Sequence, residues 1–373
     1  MQILCGIGAK NDRLQFTMIA MQNEQNNVPI HQRLIGIINR LLLVIFVLVA
    51  ALAALPFVFY FHNQDDATGK NISGATVANN EPGKTGVAYW TAADITSIAD
   101  KNQKEKVEYG RELIAHTARY IGPNGSVLKT GNGMNCQNCH LEAGTKVWGN
   151  NYGSVASLYP KLRARSGGIE NVYKRVNDCF ERSLYGKALD TTGKEIQSIV
   201  AYINFVGSNV PKGQKAEGSG FKDMAYLDRA ADPAKGQIIY SAKCQRCHQS
   251  KGEGQLDGDK TEFTYPALWG NNSYTDAAGL YRIINFAKYV KNNMPQGATF
   301  ENPQLTDEEA WDVAAFVNTQ LRPHLTVPKD WPDISKKPID HPFGPYTDHF
   351  AEQQHKYGPY KPIADEQKKK GSK

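Results

Sequence analysis

The chain has 373 residues and a formal net charge of +6, from 43 lysines and arginines against 37 acids. Its hydrophobic share of 41% is ordinary for a globular protein, which excludes wholesale disorder, a collagen-like repeat and a polytopic membrane protein. So small an excess of positive charge, with no RNA or DNA motif, also excludes nucleic acid as a partner.

In chain order, residues 1–34 are polar, and residues 35–62 hold the one long apolar run, uncharged from Leu41 to Phe61. A helix of that length reaches about 31 Å, enough for the hydrocarbon core of a bilayer. Arg33 and Arg40 precede the run, and Asp65 and Asp66 follow it. The positive-inside rule therefore predicts a cytoplasmic N-terminal segment, one transmembrane anchor in a bacterial cytoplasmic membrane, and a periplasmic remainder. The competing reading is a cleaved signal peptide with Ala-Leu-Ala at 51–53 as its cleavage site, although the run continues past that site. Translation can also start at Met18 or Met21.

Residues 63–89, rich in Gly, Asn, Thr and Ala, read as a flexible tether. Two folded regions follow, 90–211 and 232–322, joined by a linker over 212–231. The tail, 323–373, carries many prolines and is expected to run extended over the surface without a core of its own and to fray at its end.

The two folded regions repeat one plan. Each has Cys-x-x-Cys-His, CQNCH at 136–140 and CQRCH at 244–248, with a helix predicted before it at 107–121 and 232–244. Each then has a WGNN word, Trp148–Asn151 and Trp269–Asn272. Each ends in an amphipathic helix. In the first this is Lys194–Val206, with Ile196, Ile199, Val200 and Ile203 on one face; in the second, Thr306 and Glu309 form a capping box.

Cys-x-x-Cys-His is the attachment sequence for c-type haem: the thiols add across the vinyl groups and the histidine sits under the iron. A zinc knuckle would need four ligands from paired motifs, and a redox dithiol would need a βαβ setting. Cys136, Cys139 and His140, and Cys244, Cys247 and His248, are thus expected to hold two covalently attached haem c groups. The fold expected is all-α, two tandem class I cytochrome c domains with an N-terminal transmembrane helix and an extended Pro-rich C-terminal tail. Haem c is attached outside the cytoplasm, which agrees with the predicted orientation.

For the sixth iron ligand of the second domain the candidate is Met294, in NNMPQG, because a thioether there raises the haem potential and suits an electron relay. The first domain has Cys179 at the corresponding place, in RVNDCFERS. A thiolate ligand would stabilise ferric iron. The alternatives are that Cys179 is a buried inert thiol, or that His116 is the ligand. Between Leu141 and Ser183 stand seven basic residues, Lys146, Lys161, Arg163, Arg165, Lys174, Arg175 and Arg182, against four acids. Arginine binds tetrahedral oxyanions bidentately, so an anionic sulfur compound is a natural guest beside Cys179.

NCHLEAGTK, YPKLRARSG and RVNDCFERSLYGKAL resemble the first domain of the dihaem thiosulfate dehydrogenases, and the segment around NNMPQG is similar to their second haem domain. The resemblance spans about residues 90–320. It implies oxidation of two thiosulfates to tetrathionate, with the reverse reaction open, at a haem ligated by His140 and Cys179. It implies that Arg165, Arg175 and Ser183 hold the sulfonate oxygens. The haem of His248 and Met294 would pass electrons to a periplasmic or membrane acceptor, a cytochrome c or an oxidase. Asn293 stands where some relatives have a lysine before the methionine, which argues against a lysine-based ligand switch. The reading from another class is a membrane-tethered dihaem electron carrier with no substrate of its own. A third reading is a different sulfur substrate in the same pocket.

Overall fold

The structure, a computed structural model, describes residues 32, 34–48 and 87–371. Residues 34–48 are helical and belong to one unit of the chain, and residues 87–371 to another. Among the described residues no helix is long and apolar enough to cross a membrane. The expected span falls within them only as far as Leu48; the rest of it, the alternative cleavage site and most of the tether lie outside them.

The longer helices of the second unit are α1 (Lys101–Ala115), α2 (Val172–Arg182), α3 (Lys194–Val206), α4 (Pro233–Lys243), α5 (Ile283–Asn293), α6 (Asp307–Thr319), α7 (Glu352–Tyr357) and α8 (Lys361–Gly371). Three two-stranded ladders interrupt them: β1 (Ile121–Gly122) parallel to β2 (Leu128–Lys129), and the antiparallel pairs β3 (Lys161–Arg163) with β4 (Gly168–Glu170) and β5 (Gln255–Leu256) with β6 (Phe263–Tyr265). The fold is therefore helix-rich, with small strand pairs that the all-α expectation left out.

Helix α1 opens earlier than its apolar periodicity indicates, because the Asp100 carboxylate caps it by accepting from the Gln103 amide at 2.6 Å. Helix α3 has the expected bounds, with Ile196, Ile199, Val200 and Ile203 all buried. Helix α6 carries the expected capping box: Glu309 N donates to Thr306 Oγ1 at 3.1 Å and Thr306 N to Glu309 Oε2 at 2.8 Å.

Two glycines set the helix crossings. A Cβ on Gly110 of α1 would collide with the Ser198 carbonyl of α3, and one on Gly236 of α4 with the Asp312 carbonyl of α6. Around the first crossing Leu113, Ile114, Phe180, Ile196 and Ile199 form one core; around the second, Tyr240, Ile283, Trp311 and Val313 form another. Each such side chain contributes about 1.5–3 kcal/mol by leaving water.

Two expectations are corrected. The segment 212–231 is not a loose linker: Ala216 and Ser219 are buried, and the Gly218 carbonyl accepts from the Trp148 amide at 2.7 Å. The tail is neither coreless nor extended to its end. Its last turns form α7 and α8, and Tyr360 and Ile363 are buried in the second core.

Candidate active site

Helix α2 is capped by Asn171, whose side chain accepts from the Lys174 amide at 2.9 Å. Arg175, Cys179 and Ser183 follow at a spacing of four, which puts them on one helical face. Ser183 N donates to the Cys179 carbonyl at 2.8 Å, so the helical path continues far enough to keep Ser183 in that row. All three line a cavity of about 180 Å³ together with Cys136, Cys139 and His140. His140 Nδ1 donates to the Asn150 carbonyl at 2.6 Å, which fixes the ring and leaves Nε2 for a ligand. Burial pushes the His140 imidazole down to about 4, so it stays neutral, the form that binds metal.

A second cavity, of about 360 Å³, is lined by Cys244, Cys247, His248 and Met294. His248 Nδ1 donates to the Pro266 carbonyl at 2.8 Å, the same device with a different partner. The repeated WGNN words are thus not equivalent: the first supplies the carbonyl that holds its histidine, while the second lies beyond the one that does. Among the described residues Asn293 Oδ1 is buried without a hydrogen-bond partner on the wall of this cavity, and the Tyr274 hydroxyl beside it is buried too. They fit an occupant with polar groups of its own. Each cavity therefore brings two thiols and a neutral imidazole to an apolar hollow, a donor set that fits a covalently held haem c.

His116, the rival sixth ligand, lines neither cavity; its Nδ1 lies 2.9 Å from Glu262 Oε1, in a cluster where that carboxylate also meets Arg119 Nε at 2.9 Å. The seven cations separate by partner. Arg182 is held bidentately by Asp330 at 2.7 and 2.8 Å, Lys174 is paired with Asp178, and Arg163 lies 3.8 Å from Glu170. Arg175 makes no side-chain hydrogen bond or ion pair among the described residues and faces the first cavity; the nearby Cys179, as thiolate, pushes its guanidinium pKa up. Arg165 is not on that lining. It sits in the β3–β4 turn, with one ion pair at 3.9 Å to Asp330, yet close enough to Arg182 and Arg175 that burial first and their charges next push it down to about 10. Asp330 and Trp331 of the tail, which adjoin Arg165, carry no sequence signal; their pairing spans more than a hundred residues.

Two family models match successive segments: "SoxA/TsdA, cytochrome c domain" over residues 128–211, and "Cytochrome C oxidase, cbb3-type, subunit III" over residues 231–317. Thiosulfate dehydrogenase of Psychrobacter arcticus is 35% identical over 243 residues, which cover 64% of this chain and 71% of the relative. Thiosulfate dehydrogenase of Allochromatium vinosum is 36% identical over 223 residues, covering 58% of this chain and 81% of the relative. The chain belongs to the thiosulfate dehydrogenase family. The solved thiosulfate dehydrogenase (TsdBA) from Marichromatium purpuratum, in its "as isolated" form, superposes with a TM-score of 0.58 at 28% identity, over 63% of this chain. The match spans half the length of that solved chain. As a thiosulfate dehydrogenase family member with cytochrome c domains, the protein is an oxidoreductase that carries two covalently bound c-type haems.

Proposed function

We propose that the protein oxidises two thiosulfates to tetrathionate in the first cavity, with Cys179 as reacting sulfur and with His140 and Cys179 as the residues that would hold the haem iron. The observation that carries this reading is the row Arg175, Cys179, Ser183 on one face of α2, beside Cys136, Cys139 and His140. The Arg175 guanidinium, without a carboxylate partner among the described residues and one turn from a thiol, binds a sulfonate and aims the attached sulfane sulfur at the Cys179 sulfur.

The steps balance as follows. The Cys179 thiolate and one thiosulfate join through a sulfur–sulfur bond and release two electrons, giving a Cys179 S-thiosulfonate. The sulfane sulfur of a second thiosulfate then attacks that adduct, in the manner of thiol–disulfide exchange; tetrathionate leaves and the Cys179 thiolate returns. Arg175 and Arg165 lower the repulsion between two dianions, and Ser183 donates a hydrogen bond to a sulfonate oxygen. Bound haem supplies one-electron acceptors for the two electrons. The site of His248 and Met294 is the outlet, toward a cytochrome c or an oxidase. The same sequence run backwards reduces tetrathionate. The apolar run 41–61 is the anchor of this reading, with the haem domains in the periplasm.

The test is thiosulfate-dependent ferricyanide reduction by the purified, haem-loaded full chain, with tetrathionate quantified. Stoichiometric tetrathionate that is lost in Cys179→Ala supports both the reaction and its site. Wild-type turnover in Cys179→Ala sinks the cysteine mechanism. No turnover by the wild type, with both haems reducible by dithionite, makes the chain a tethered electron carrier.

A further inference from the structure

Arg165 owes its place to the tail. It stands in the turn of a hairpin whose two strands have three residues each, and Ala164, Ser166 and Gly167 of that turn are exposed. A two-stranded hairpin of that size does not hold its shape in water on its own. Its fastening comes from residues 330–332. Trp331 N donates to the Arg165 carbonyl at 2.7 Å, and the Trp331 ring centroid lies 5.6 Å from the Arg165 guanidinium carbon. A Cβ on Gly167, which has φ +70°, would meet Pro332 Cγ at 2.6 Å, so the strap lies directly on the turn.

The strap is itself pinned on both sides. Asp330 takes the bidentate bond from Arg182, at the end of α2, and lies 3.9 Å from Arg165 Nε. Trp331 Nε1 donates to His341 Nε2 at 3.0 Å, which fixes the indole. Trp331 also has φ +59°, a backbone state that bulky residues avoid, and such strain persists only where the surroundings over-determine it.

We infer that Asp330 and Trp331 are positioning residues for the anion site: the tail crosses back from the second half of the molecule and holds the Arg165 guanidinium ready for a sulfonate dianion. The inference rests on the function proposed above. Asp330 has a second effect, because it neutralises Arg182 and leaves Arg175 as the cation on the cavity lining, with Arg165 near it. With the strap in place, the site does not have to order the hairpin when the dianion arrives, so its loss raises KM more than it lowers kcat.

The test uses the haem-loaded full chain and two readouts: KM for thiosulfate, and calorimetric affinity for sulfate, a tetrahedral dianion that does not react. Trp331→Ala is expected to weaken both about tenfold, the size of a partly buried cation–π contact, with kcat within about twofold. Trp331→Phe, which keeps an aromatic face, is expected to recover most of the loss. In an Arg165→Ala background Trp331→Ala is expected to add nothing, because the tryptophan acts through the arginine. Unchanged KM and sulfate affinity in Trp331→Ala, or an equal loss without Arg165, overturns the inference. Should Trp331→Ala fail to fold, His341→Ala releases the indole and leaves the backbone bond intact; it is held to the same outcomes. A wild type that binds sulfate through Arg165 but does not turn over thiosulfate removes the proposed reaction and leaves the strap standing.

Discussion

Tyr289 on α5 donates its hydroxyl to the Asn138 carbonyl at 2.8 Å, so a side chain from the second half of the molecule holds the interior of the first Cys-x-x-Cys-His. Tyr289 is buried and lines the second cavity, and Asn138 and Cys139 line the same wall. The two cofactor sites therefore share one partition, tied across by this hydrogen bond. Tyr289→Phe removes one hydrogen bond and leaves a carbonyl short of its donor. The expected cost is about 1 kcal/mol of unfolding free energy, read by chemical denaturation, with both haem spectra retained. An unchanged midpoint would show that the bond adds nothing to the partition.

Glu262 makes another tie between the halves. Its carboxylate is buried and meets His116 Nδ1 at 2.9 Å, Arg119 Nε at 2.9 Å and Asn135 Nδ2 at 3.0 Å, next to Cys136. Glu262→Ala leaves three donors without their acceptor, two of them on partly exposed side chains that water can reach. A loss of about 2–3 kcal/mol is expected, and about 1 kcal/mol for Glu262→Gln, which keeps an acceptor oxygen. Equal losses for the two variants in denaturant titrations would mean that the carboxylate charge, not the acceptor oxygen that Gln retains, decides.

Much of this was legible because local chemistry and local geometry coincide. Two Cys-x-x-Cys-His words announce the cofactor, while Arg175 and Ser183 come only through the family resemblance, and their spacing of four from Cys179 becomes one face once α2 is seen as a helix. The bounds of α3 follow from its apolar period. What one sequence does not carry is pairing between distant segments. Asp330 with Arg182, Trp331 with Arg165, and Tyr289 with Asn138 each join residues that nothing local connects. The WGNN words show the opposite failing, since identical residues take different parts once the loops before them differ in length. Among the seven cations near Cys179, sequence gave a sum, and only the partners separate Arg175 from the paired Lys174 and Arg182.

The glycines at the two helix crossings predict a large effect from one methyl group. At Gly110 the added carbon would run into the Ser198 backbone, and at Gly236 into the Asp312 backbone, neither of which can rotate away as a side chain does. Gly110→Ala and Gly236→Ala are each expected to cost about 3 kcal/mol or more, the upper end for overpacking, despite the better helix propensity of alanine. Thermal unfolding and haem content of the purified variants check this. A variant as stable as the wild type would mean that the helices slide apart at little cost.

The tail adds a pH dependence of known sign. Burial pushes the His341 imidazole down to about 4, the cations Lys337, Arg165 and Arg282 push the same way, and the bond to the Phe343 carbonyl opposes them. The folded chain thus keeps His341 neutral at pH values where the unfolded chain, with its pKa near 6.5, binds a proton. Stability that is fully present above about pH 6.5 is lost as pH falls from there toward about 4, since the unfolded state holds more protons in that window. Allowing for the ring's partial contact with solvent, the loss is about 2 kcal/mol. His341→Gln, which cannot titrate, is expected to flatten the difference between denaturation midpoints at pH 7 and pH 4.5 by that amount. If the variant keeps the full wild-type slope, groups other than His341 carry the acid sensitivity.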